Sequence, residues 1–361
     1  MKITGIVAEY NPFHYGHAYH IQESRRITQC DLLIVVMSGN FVQKGEPAII
    51  SKKHRALAAI AHGADLVLEL PFAYATQSAS YFAKGAIDIL RLAKVDTVCF
   101  GSESNQLKHL KQLSATPFQI IDDYENATVK HYEAVYGKLK SNDILALNYL
   151  KAMPLEMEAV SIHRQNDYHD ERLNGRLSSA TAIRSAIKQQ RPYQFATPMQ
   201  IENPIFLEDF YPYIRMLLLT HSKEQCKALF MMDEGIENRF IKAAQQQDFE
   251  DFMNIMVSKR YTRSKIKRTL IHLLNQTSKK EMNELPAIEH CRVLAFNSAG
   301  QAYLKQMKKE RIFISRFNQI PDLYRSMEMK SAWVYAQAFP KELQSEIINE
   351  EVNAPWFYSS L

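Results

Sequence analysis

Apolar runs that alternate with helical patterns constrain the fold of this chain most. Five strand-like runs occur within the first 165 residues, at 3–8, 31–38, 64–70, 96–100 and 158–163. Residues 51–62 and 78–94, which lie between these runs, have the apolar spacing of helices. Apolar strands separated by helices are typical of a parallel sheet covered on both faces. The sequence therefore predicts a Rossmann-like α/β domain that binds its ligand beyond the carboxyl ends of the strands.

The strand pattern weakens after Arg191 and Pro192, and the segment from about 205 to 285 is mostly helical in pattern. A chain of 361 residues is long enough for two domains. We predict a boundary near residue 190, with an α/β domain at 1–190 and a mainly α-helical domain at 191–361. Two short strand candidates, 292–296 and 311–315, lie in the second domain.

Composition excludes several classes of protein. No apolar run approaches the ~20 residues that a membrane span needs, and the N-terminal segment MKITGIVAEYNPF has the pattern of a strand and a turn rather than of a signal peptide. We therefore expect a cytoplasmic protein. The cysteines lie far apart without a CxxC pair, which predicts buried free thiols and neither a zinc site nor a disulfide framework: Cys30, Cys99, Cys226 and Cys291.

The segment NPFHYGH, residues 11–17, stands where the first predicted strand ends and the first helix begins. His14 and His17 are three residues apart, so they share one face of the helix N-terminus and can both contact a phosphate. Imidazole donates hydrogen bonds to phosphate oxygens and can stabilise developing negative charge. Two purely structural histidines are the alternative, but the position after a strand favours nucleotide phosphate binding.

Further candidate anion contacts follow along the chain. Lys44 is on a loop predicted to overlie the same crevice, and Ser178 or Ser179 can cap a helix whose first turn presents backbone amides. Residues 252–280 contain eight lysines and arginines and no acidic residue. This basic segment is either a solvated helix face or a contact for a polyanion.

The HxGH motif resembles that of the nucleotidylyltransferase superfamily. A closer resemblance extends over about the first 190 residues, where EYNPFHYGH, MSGNFVQKGEPA, HRALAAIAHGADLVLELP, FGSE, SNDILALNYLKA and SATAIR occur in this order. Together these segments resemble the tRNA-Met cytidine acetate ligase family. The chain departs from the family pattern in ALNYL, where a glycine is common, and in HRQNDYHD, which is less rich in glycine.

The resemblance implies a two-step reaction. Acetate attacks the α-phosphate of ATP to give acetyl-adenylate, and the acetyl group then passes to the wobble cytidine of elongator tRNA-Met, which forms N4-acetylcytidine. ATP is a substrate, Mg²⁺ is expected to arrive with it, no protein metal site is expected, and acetyl-CoA is not needed. The resemblance also implies that 1–190 is the catalytic domain and that 191–361 binds tRNA.

The resemblance assigns His14 and His17 as catalytic residues. It implies an ATP site made of Val7, Ala8, Glu9, Tyr10, Asn11, Pro12, Phe13, His14, Tyr15, Gly16, His17, Ala18, Tyr19, His20, Gly101, Asn142 and Arg164. Candidate phosphate contacts are Lys44, Ser179, Thr181 and Arg184. Candidate tRNA contacts in the basic segment are Lys259, Arg260, Arg263 and Lys267, with Tyr261 as a candidate ring for stacking on a base.

Two other functions are compatible with parts of this pattern. A metabolite adenylyltransferase acting on phosphopantetheine or nicotinamide mononucleotide would need the same HxGH site, but it would not need about 170 further residues with a basic segment. An RNA-binding protein that has kept only a nucleotide pocket would not need intact His14 and His17. The oligomeric state, the tRNA identity elements and the base for acetyl transfer stay open.

Overall fold

The computed structural model describes residues 1–116, 133–164, 173, 175–233 and 235–359. All seven predicted strands are present within these ranges. The strands are β1 Ile3–Ala8, β2 Leu32–Ser38, β3 Phe41–Val42, β4 Glu46–Pro47, β5 Leu66–Leu70, β6 Thr97–Ser102, β7 Glu158–His163, β8 Cys291–Phe296, β9 Phe313–Ile314 and β10 Trp356–Phe357.

Strands β1, β2, β5, β6 and β7 pair in parallel, in the spatial order β5-β2-β1-β6-β7. Successive strands run outward from β1 first on one side and then on the other, so the order of connection reverses between β1 and β6. Ligands of such sheets bind at this reversal, beyond the carboxyl ends of the strands. The predicted Rossmann-like α/β architecture is confirmed.

Helices cover the sheet and form most of the later chain. They are α1 Tyr15–Thr28, α2 Lys52–Ala61, α3 Phe72–Ala75, α4 Ala79–Leu92, α5 Leu107–Ser114, α6 Ser141–Ala152, α7 Ala180–Lys188, α8 Tyr211–Thr220, α9 Lys223–Ala228, α10 Ile236–Ala243, α11 Phe249–Met256, α12 Arg263–Leu274, α13 Lys279–Asn283, α14 Ser298–Gln306, α15 Asp322–Ala336 and α16 Lys341–Val352. Within the described ranges, none of the helices is long and apolar enough to cross a membrane.

Strands β1, β2, β5 and β6 are mostly buried on both faces, as their continuous apolar composition predicts, whereas β7 is exposed at both of its ends. Ile34 and Val36 of β2 belong to one apolar cluster, whereas Leu33 and Val35 belong to another on the opposite face. A third cluster joins the helices between residues 205 and 274 to Tyr335 of α15. Of the free cysteines, Cys99, Cys226 and Cys291 are buried as expected, but Cys30 is only half-buried.

The later chain returns to the sheet. Strand β8 lies antiparallel to β5, and β9 and β10 each pair in parallel with β8. Buried charges reinforce this return. Lys52 Nζ donates to Glu69 at 2.7 Å and to Glu351 at 2.6 Å, while Arg292 of β8 donates to both carboxylates. The sheet therefore extends beyond the first 190 residues, and the division into two domains near 190 stays a prediction.

Candidate active site

The turn that follows β1 places both motif histidines at the start of α1. His14 is the N-cap residue, and its Nδ1 accepts a hydrogen bond from the Gly16 N–H at 3.1 Å. His17 Nδ1 in turn accepts from the His14 N–H at 3.2 Å. A Cβ atom at Gly16 would lie 2.8 Å from the His14 ring, so this position needs glycine. The motif is thus a capping box made of two imidazoles, whose ring centroids stack 3.7 Å apart.

These hydrogen bonds determine the tautomers of the two rings. Because each Nδ1 accepts from a backbone N–H, the proton of each neutral ring is on Nε2. Burial, with added repulsion from Arg164 and Arg184, lowers the pKa of His14 to about 3. Burial and the neighbouring His14 also lower the pKa of His17 well below its usual value. Both histidines are therefore neutral Nε2–H donors before an anion binds.

Arg184, in the helix α7, reaches back to the motif turn. Its NH1 group donates to the carbonyl oxygen of Asn11 at 2.6 Å, and its NH2 group lies 3.2 Å from Glu46 Oε2. Ser179 caps the same helix by accepting a hydrogen bond from the Ala182 N–H at 3.0 Å, as the sequence predicts. Thr181 is half-buried in the first turn of α7. The structure therefore places the start of α7 beside the histidine turn.

Three predicted residues meet on the other side of the cleft. Arg164 NH1 donates to Asn142 Oδ1 at 2.9 Å, and the aliphatic part of Arg164 passes over Gly101, where a Cβ would lie 3.0 Å from its Cδ. Glu103 holds Asn142 by accepting from its backbone N–H at 3.0 Å and from its Nδ2 at 2.6 Å. Glu103 was missed in the sequence analysis, although it belongs to the FGSE segment. The absence of a side chain at Gly101 leaves room for the aliphatic part of Arg164 near the end of β6.

Glu9 and Lys44 are half-buried, oppositely charged residues that interact; Glu9 lines the cleft, whereas Lys44 lies on the adjoining turn between β3 and β4 and is not one of the lining residues. Burial lowers the pKa of Lys44 to about 8, with Glu9 opposing this change and Arg184 adding to it. Burial also raises the pKa of Glu9, against the attraction of Lys44 and Arg184. The Glu9 carboxylate accepts a hydrogen bond from the Gln43 N–H at 2.8 Å, which holds the hairpin of β3 and β4 against the end of β1.

One cleft brings most of the predicted ATP-site residues together. The predicted residues that line it are Val7, Ala8, Glu9, Tyr10, Asn11, His14, Gly16, His17, Tyr19, His20, Gly101, Asn142, Arg164, Ser179 and Arg184. Phe13 and Ala18 are packed in the apolar core beneath it. Ser178, the alternative candidate cap, also lines the cleft, together with residues that the sequence did not indicate: Gln43, Phe82, Phe100, Leu145, Tyr149, Ile162, His163, Leu177 and Ala180. Several of these are apolar and gave no chemical signal in the sequence. Residues 165–170 of the HRQNDYHD segment lie outside the described residues.

The candidate tRNA contacts are placed in different environments. Lys259 and Arg263 are exposed, but Arg263 is paired with Glu250 at 2.6 Å. Lys267 is turned toward the cleft side, where its Nζ lies 2.5 Å from Glu46 Oε1. Tyr261 is 7% exposed. The expectation that Tyr261 stacks on a base is therefore wrong for this structure, because its ring packs in the helical core.

The cleft and the sheet define a class of protein. The switch point of a parallel sheet, a paired-histidine helix start and converging arginines are together typical of a nucleotide phosphate site. In agreement, the family model described as HIGH Nucleotidyl Transferase matches residues 1–351.

Curated relatives and solved structures narrow the class. The chain is 36% identical to the tRNA(Met) cytidine acetate ligase of Limosilactobacillus reuteri, covering 86% of this chain and 88% of the relative. It is 34% identical to that of Halalkalibacterium halodurans, covering 97% and 96%. The crystal structure of apo Thermotoga maritima TmcAL superposes with a TM-score of 0.88 at 28% identity over 100% of both chains. The same protein bound with alpha-thio ATP gives 0.84 at 27% identity over 99% and 100%.

The chain belongs to the tRNA(Met) cytidine acetate ligase family of HIGH nucleotidyl transferases. It is accordingly an enzyme, and the family resemblance inferred from the sequence is confirmed.

Proposed function

We propose that this enzyme activates acetate with ATP as acetyl-adenylate and transfers the acetyl group to the wobble cytidine of elongator tRNA-Met, forming N4-acetylcytidine. The observation that carries the proposal is the pair of Nε2–H donors of His14 and His17 in a cleft that Arg164 and Arg184 also line. The family membership and the relative with bound alpha-thio ATP support ATP as the nucleotide.

The first step joins two anions. A carboxylate oxygen of acetate attacks the α-phosphorus of ATP, an O–P bond forms, and the bond to pyrophosphate breaks. Acetate is already ionised at neutral pH, so this step needs no general base. It needs positive charge and hydrogen-bond donors to offset repulsion and to stabilise the leaving pyrophosphate. The two histidines and Arg184 supply such groups from one side of the cleft, and Arg164 supplies one from the other.

The second step breaks the mixed anhydride. The N4 amine of cytidine attacks the acetyl carbonyl carbon, a C–N bond forms, and AMP leaves. The amine proton passes to the phosphate of the departing AMP. Proximity in a shared site lowers much of the barrier, because a cytosine amine is a poor nucleophile in solution. Exposed basic residues of the 252–280 segment, such as Lys259 and Arg263, are the proposed contacts for the tRNA backbone.

Mg²⁺ enters this proposal with ATP, coordinated by the phosphates rather than by a protein cage. Within the described ranges, Glu69, Glu328 and Glu351 come close enough together to hold a metal ion. However, Lys52 and Arg292 already contact Glu69 and Glu351 there, so this cluster does not suit a cation. Acetyl-CoA is not needed in the proposed reaction, since ATP activates acetate as acetyl-adenylate.

The decisive experiment incubates the protein with ATP, labelled acetate and total tRNA, then digests the RNA and measures acetylated cytidine by mass. Label in N4-acetylcytidine that depends on both ATP and acetate is the expected result. Replacing ATP and acetate by acetyl-CoA should give no product. A second reaction uses ATP labelled in its adenosine with phosphopantetheine or nicotinamide mononucleotide as acceptor. Adenosine label in a small dinucleotide would support the metabolite adenylyltransferase, and ATP-independent tRNA binding without product would support an RNA-binding protein.

A further inference from the structure

The hairpin of β3 and β4 lies directly against the basic helix α12. A Cβ atom at Gly45, which has a φ of +74°, would lie 2.3 Å from the backbone nitrogen of Arg268. Arg268 NH1 also donates to the carbonyl oxygen of Gln43 at 3.3 Å. The helix and the hairpin therefore touch through their backbones. The Gln43 N–H donates a hydrogen bond to Glu9, and both residues line the cleft, so α12 packs against the hairpin that forms part of the proposed ATP site.

Glu46 on this hairpin joins two cations from different parts of the chain. Its Oε1 lies 2.5 Å from Lys267 Nζ on α12, and its Oε2 lies 3.2 Å from Arg184 NH2 on α7. The Lys267 and Glu46 side chains are 18% and 20% exposed. Although burial favours the neutral carboxyl, Arg184 and Lys267 lower the pKa of Glu46 to about 2. Glu46 is therefore a carboxylate at any ordinary pH.

We propose that Lys267 is a positioning residue of the ATP site. Its ammonium group compensates the negative charge of Glu46, so the charge of Arg184 remains available to the nucleotide phosphates. The proposal rests on ATP use by this chain, as set out above. It gives Lys267 a role in the nucleotide half-reaction rather than in tRNA contact.

The local balance of charge explains why the pair matters. Lys44, Arg184 and Lys267 face Glu9 and Glu46, so the cluster carries one net positive charge when both acids are ionised. Removing the charge of Lys267 lowers the net charge of this cluster to zero. Arg184 would then pair with a Glu46 carboxylate whose charge Lys267 no longer compensates. A unit charge roughly 12 Å from an anion, in a medium with an effective dielectric constant of about 20, changes the affinity for that anion by about tenfold.

The test measures ATP binding by calorimetry, without acetate or tRNA, in the intact protein. Lys267→Met should weaken ATP binding about tenfold. Adding Glu46→Gln to that variant should restore the affinity to within about threefold of wild type, because the opposing charge is then absent. Lys267→Arg should bind ATP like wild type. Lys330→Met is the matched control, since Lys330 forms a comparable pair with Glu281 at 2.9 Å on helices that do not line the cleft.

The outcomes separate the two proposals. If wild type fails to bind ATP, the proposed function itself is overturned, together with this role for Lys267. If wild type binds ATP and Lys267→Met matches Lys330→Met, or if the double variant stays as weak as Lys267→Met, the positioning role is overturned. A Lys267→Met protein that binds ATP normally but loses tRNA affinity would return this lysine to the RNA surface. Melting temperatures of all variants show whether each folds like wild type.

Discussion

At the scale of single residues, the two motif histidines cap a helix and supply donors with different atoms of the same ring. Nδ1 of each ring accepts from the backbone, which leaves Nε2–H for a ligand. Capping therefore fixes the tautomer that the proposed chemistry requires. A side chain that keeps an acceptor at the Nδ1 position but has no donor at the Nε2 position should preserve the helix start and lose catalysis.

We expect His17→Asn to lower the rate of acetate-dependent pyrophosphate release by about 10²–10³-fold, the usual loss for one transition-state donor. The asparagine Oδ1 can still accept from the His14 N–H, so the melting temperature should stay near that of wild type. His17→Ala should lose the same activity and, in addition, about 0.5–2 kcal/mol of stability, because it also removes the acceptor. Binding of tRNA should be nearly unchanged in both. Near-normal pyrophosphate release by either variant would remove His17 from the mechanism.

The lowered pKa of Lys44 allows a prediction of how ATP binding depends on pH. With its pKa lowered to about 8, chiefly by burial, the free protein loses this positive charge as the pH rises through 8. If Lys44 contacts the phosphates, ATP affinity should be constant just below this pH and should weaken above it, by at most about tenfold per pH unit. Lys44→Met should bind ATP more weakly and with a flat profile between about pH 7.5 and pH 9.5. Parallel profiles for the two proteins would contradict a phosphate contact.

The sequence predicted the histidine turn because its determinants are local. His14, Gly16 and His17 make their capping contacts within three residues of one another. It did not reveal Glu46 or Glu103. Glu46 is separated from Lys267 by 221 residues, and Glu103 from Asn142 by 39. A carboxylate whose role depends on such distant partners has no local pattern that distinguishes it from a solvated acid.

At the scale of secondary structure elements, the basic segment divides into two parts. The helix α12 begins at Arg263 with Thr262 as its N-cap, so Lys259 and Arg260 lie on the preceding loop. The apolar period of the sequence located the helix, but the direction of each basic side chain depended on what packs beside it. Glu46 engages Lys267, and burial lowers the pKa of Arg268 to about 10. The loop and the first helical turn remain as the candidate RNA surface.

We expect replacement of Arg260 and Arg263 by alanine to weaken tRNA binding and to flatten its dependence on salt. Two lost phosphate contacts should reduce the magnitude of the slope of log affinity against log salt by up to about 1.4. Lys267 is left out of this variant because its pair with Glu46 is mostly shielded from solvent, whereas the pair of Arg263 with Glu250 is exposed. Pyrophosphate release without tRNA should be unaffected.

The matched control replaces Lys308 and Lys309, two exposed lysines outside the basic segment, by alanine. This variant has lost the same formal charge and should keep the wild-type slope. Equal slopes for the two double variants would show that the basic segment has no special contact with RNA.

At the scale of the whole molecule, the return of β8 to the sheet was beyond the sequence analysis. The segment 292–296 was predicted as a strand, yet nothing local indicated that it would lie antiparallel to β5. The buried charges that fix it come from widely separated positions: Lys52, Glu69, Arg292 and Glu351. Removal of one partner from such a network leaves uncompensated buried charge, which is strongly destabilising.

Glu328 makes the stability of the molecule depend on pH. Burial, followed by repulsion from Glu69 and Glu351, raises the pKa of Glu328 to about 8. The folded state therefore holds a proton that the unfolded state, with an ordinary pKa near 4.5, releases. This contribution to stability is complete below about pH 4.5 and is lost as the pH rises through 8.

We expect the free energy of unfolding of wild type to fall between about pH 5 and pH 8 by up to about 1.4 kcal/mol per pH unit relative to Glu328→Gln, and to level off above about pH 8. The amide has no proton to lose, and its oxygen can still accept from the Phe72 N–H as Glu328 does at 2.6 Å. Urea unfolding of both proteins across this range provides the measurement. Curves that run parallel would show that Glu328 is not protonated in the folded state.

The position of β10 has a consequence for synthesis on the ribosome. Trp356 and Phe357 pair with β8, and β8 in turn covers the edge of β5. Translation must pass Phe357 before this side of the sheet is complete, on the order of tens of seconds after β5 has emerged. During that interval the edge of β5 is unpaired, and Lys52 and Glu69 lack their later partners Arg292 and Glu351. Chaperone binding to the growing chain should therefore persist until the C-terminal strand is made, and messages truncated before it should give protein that aggregates rather than a working nucleotide-binding half.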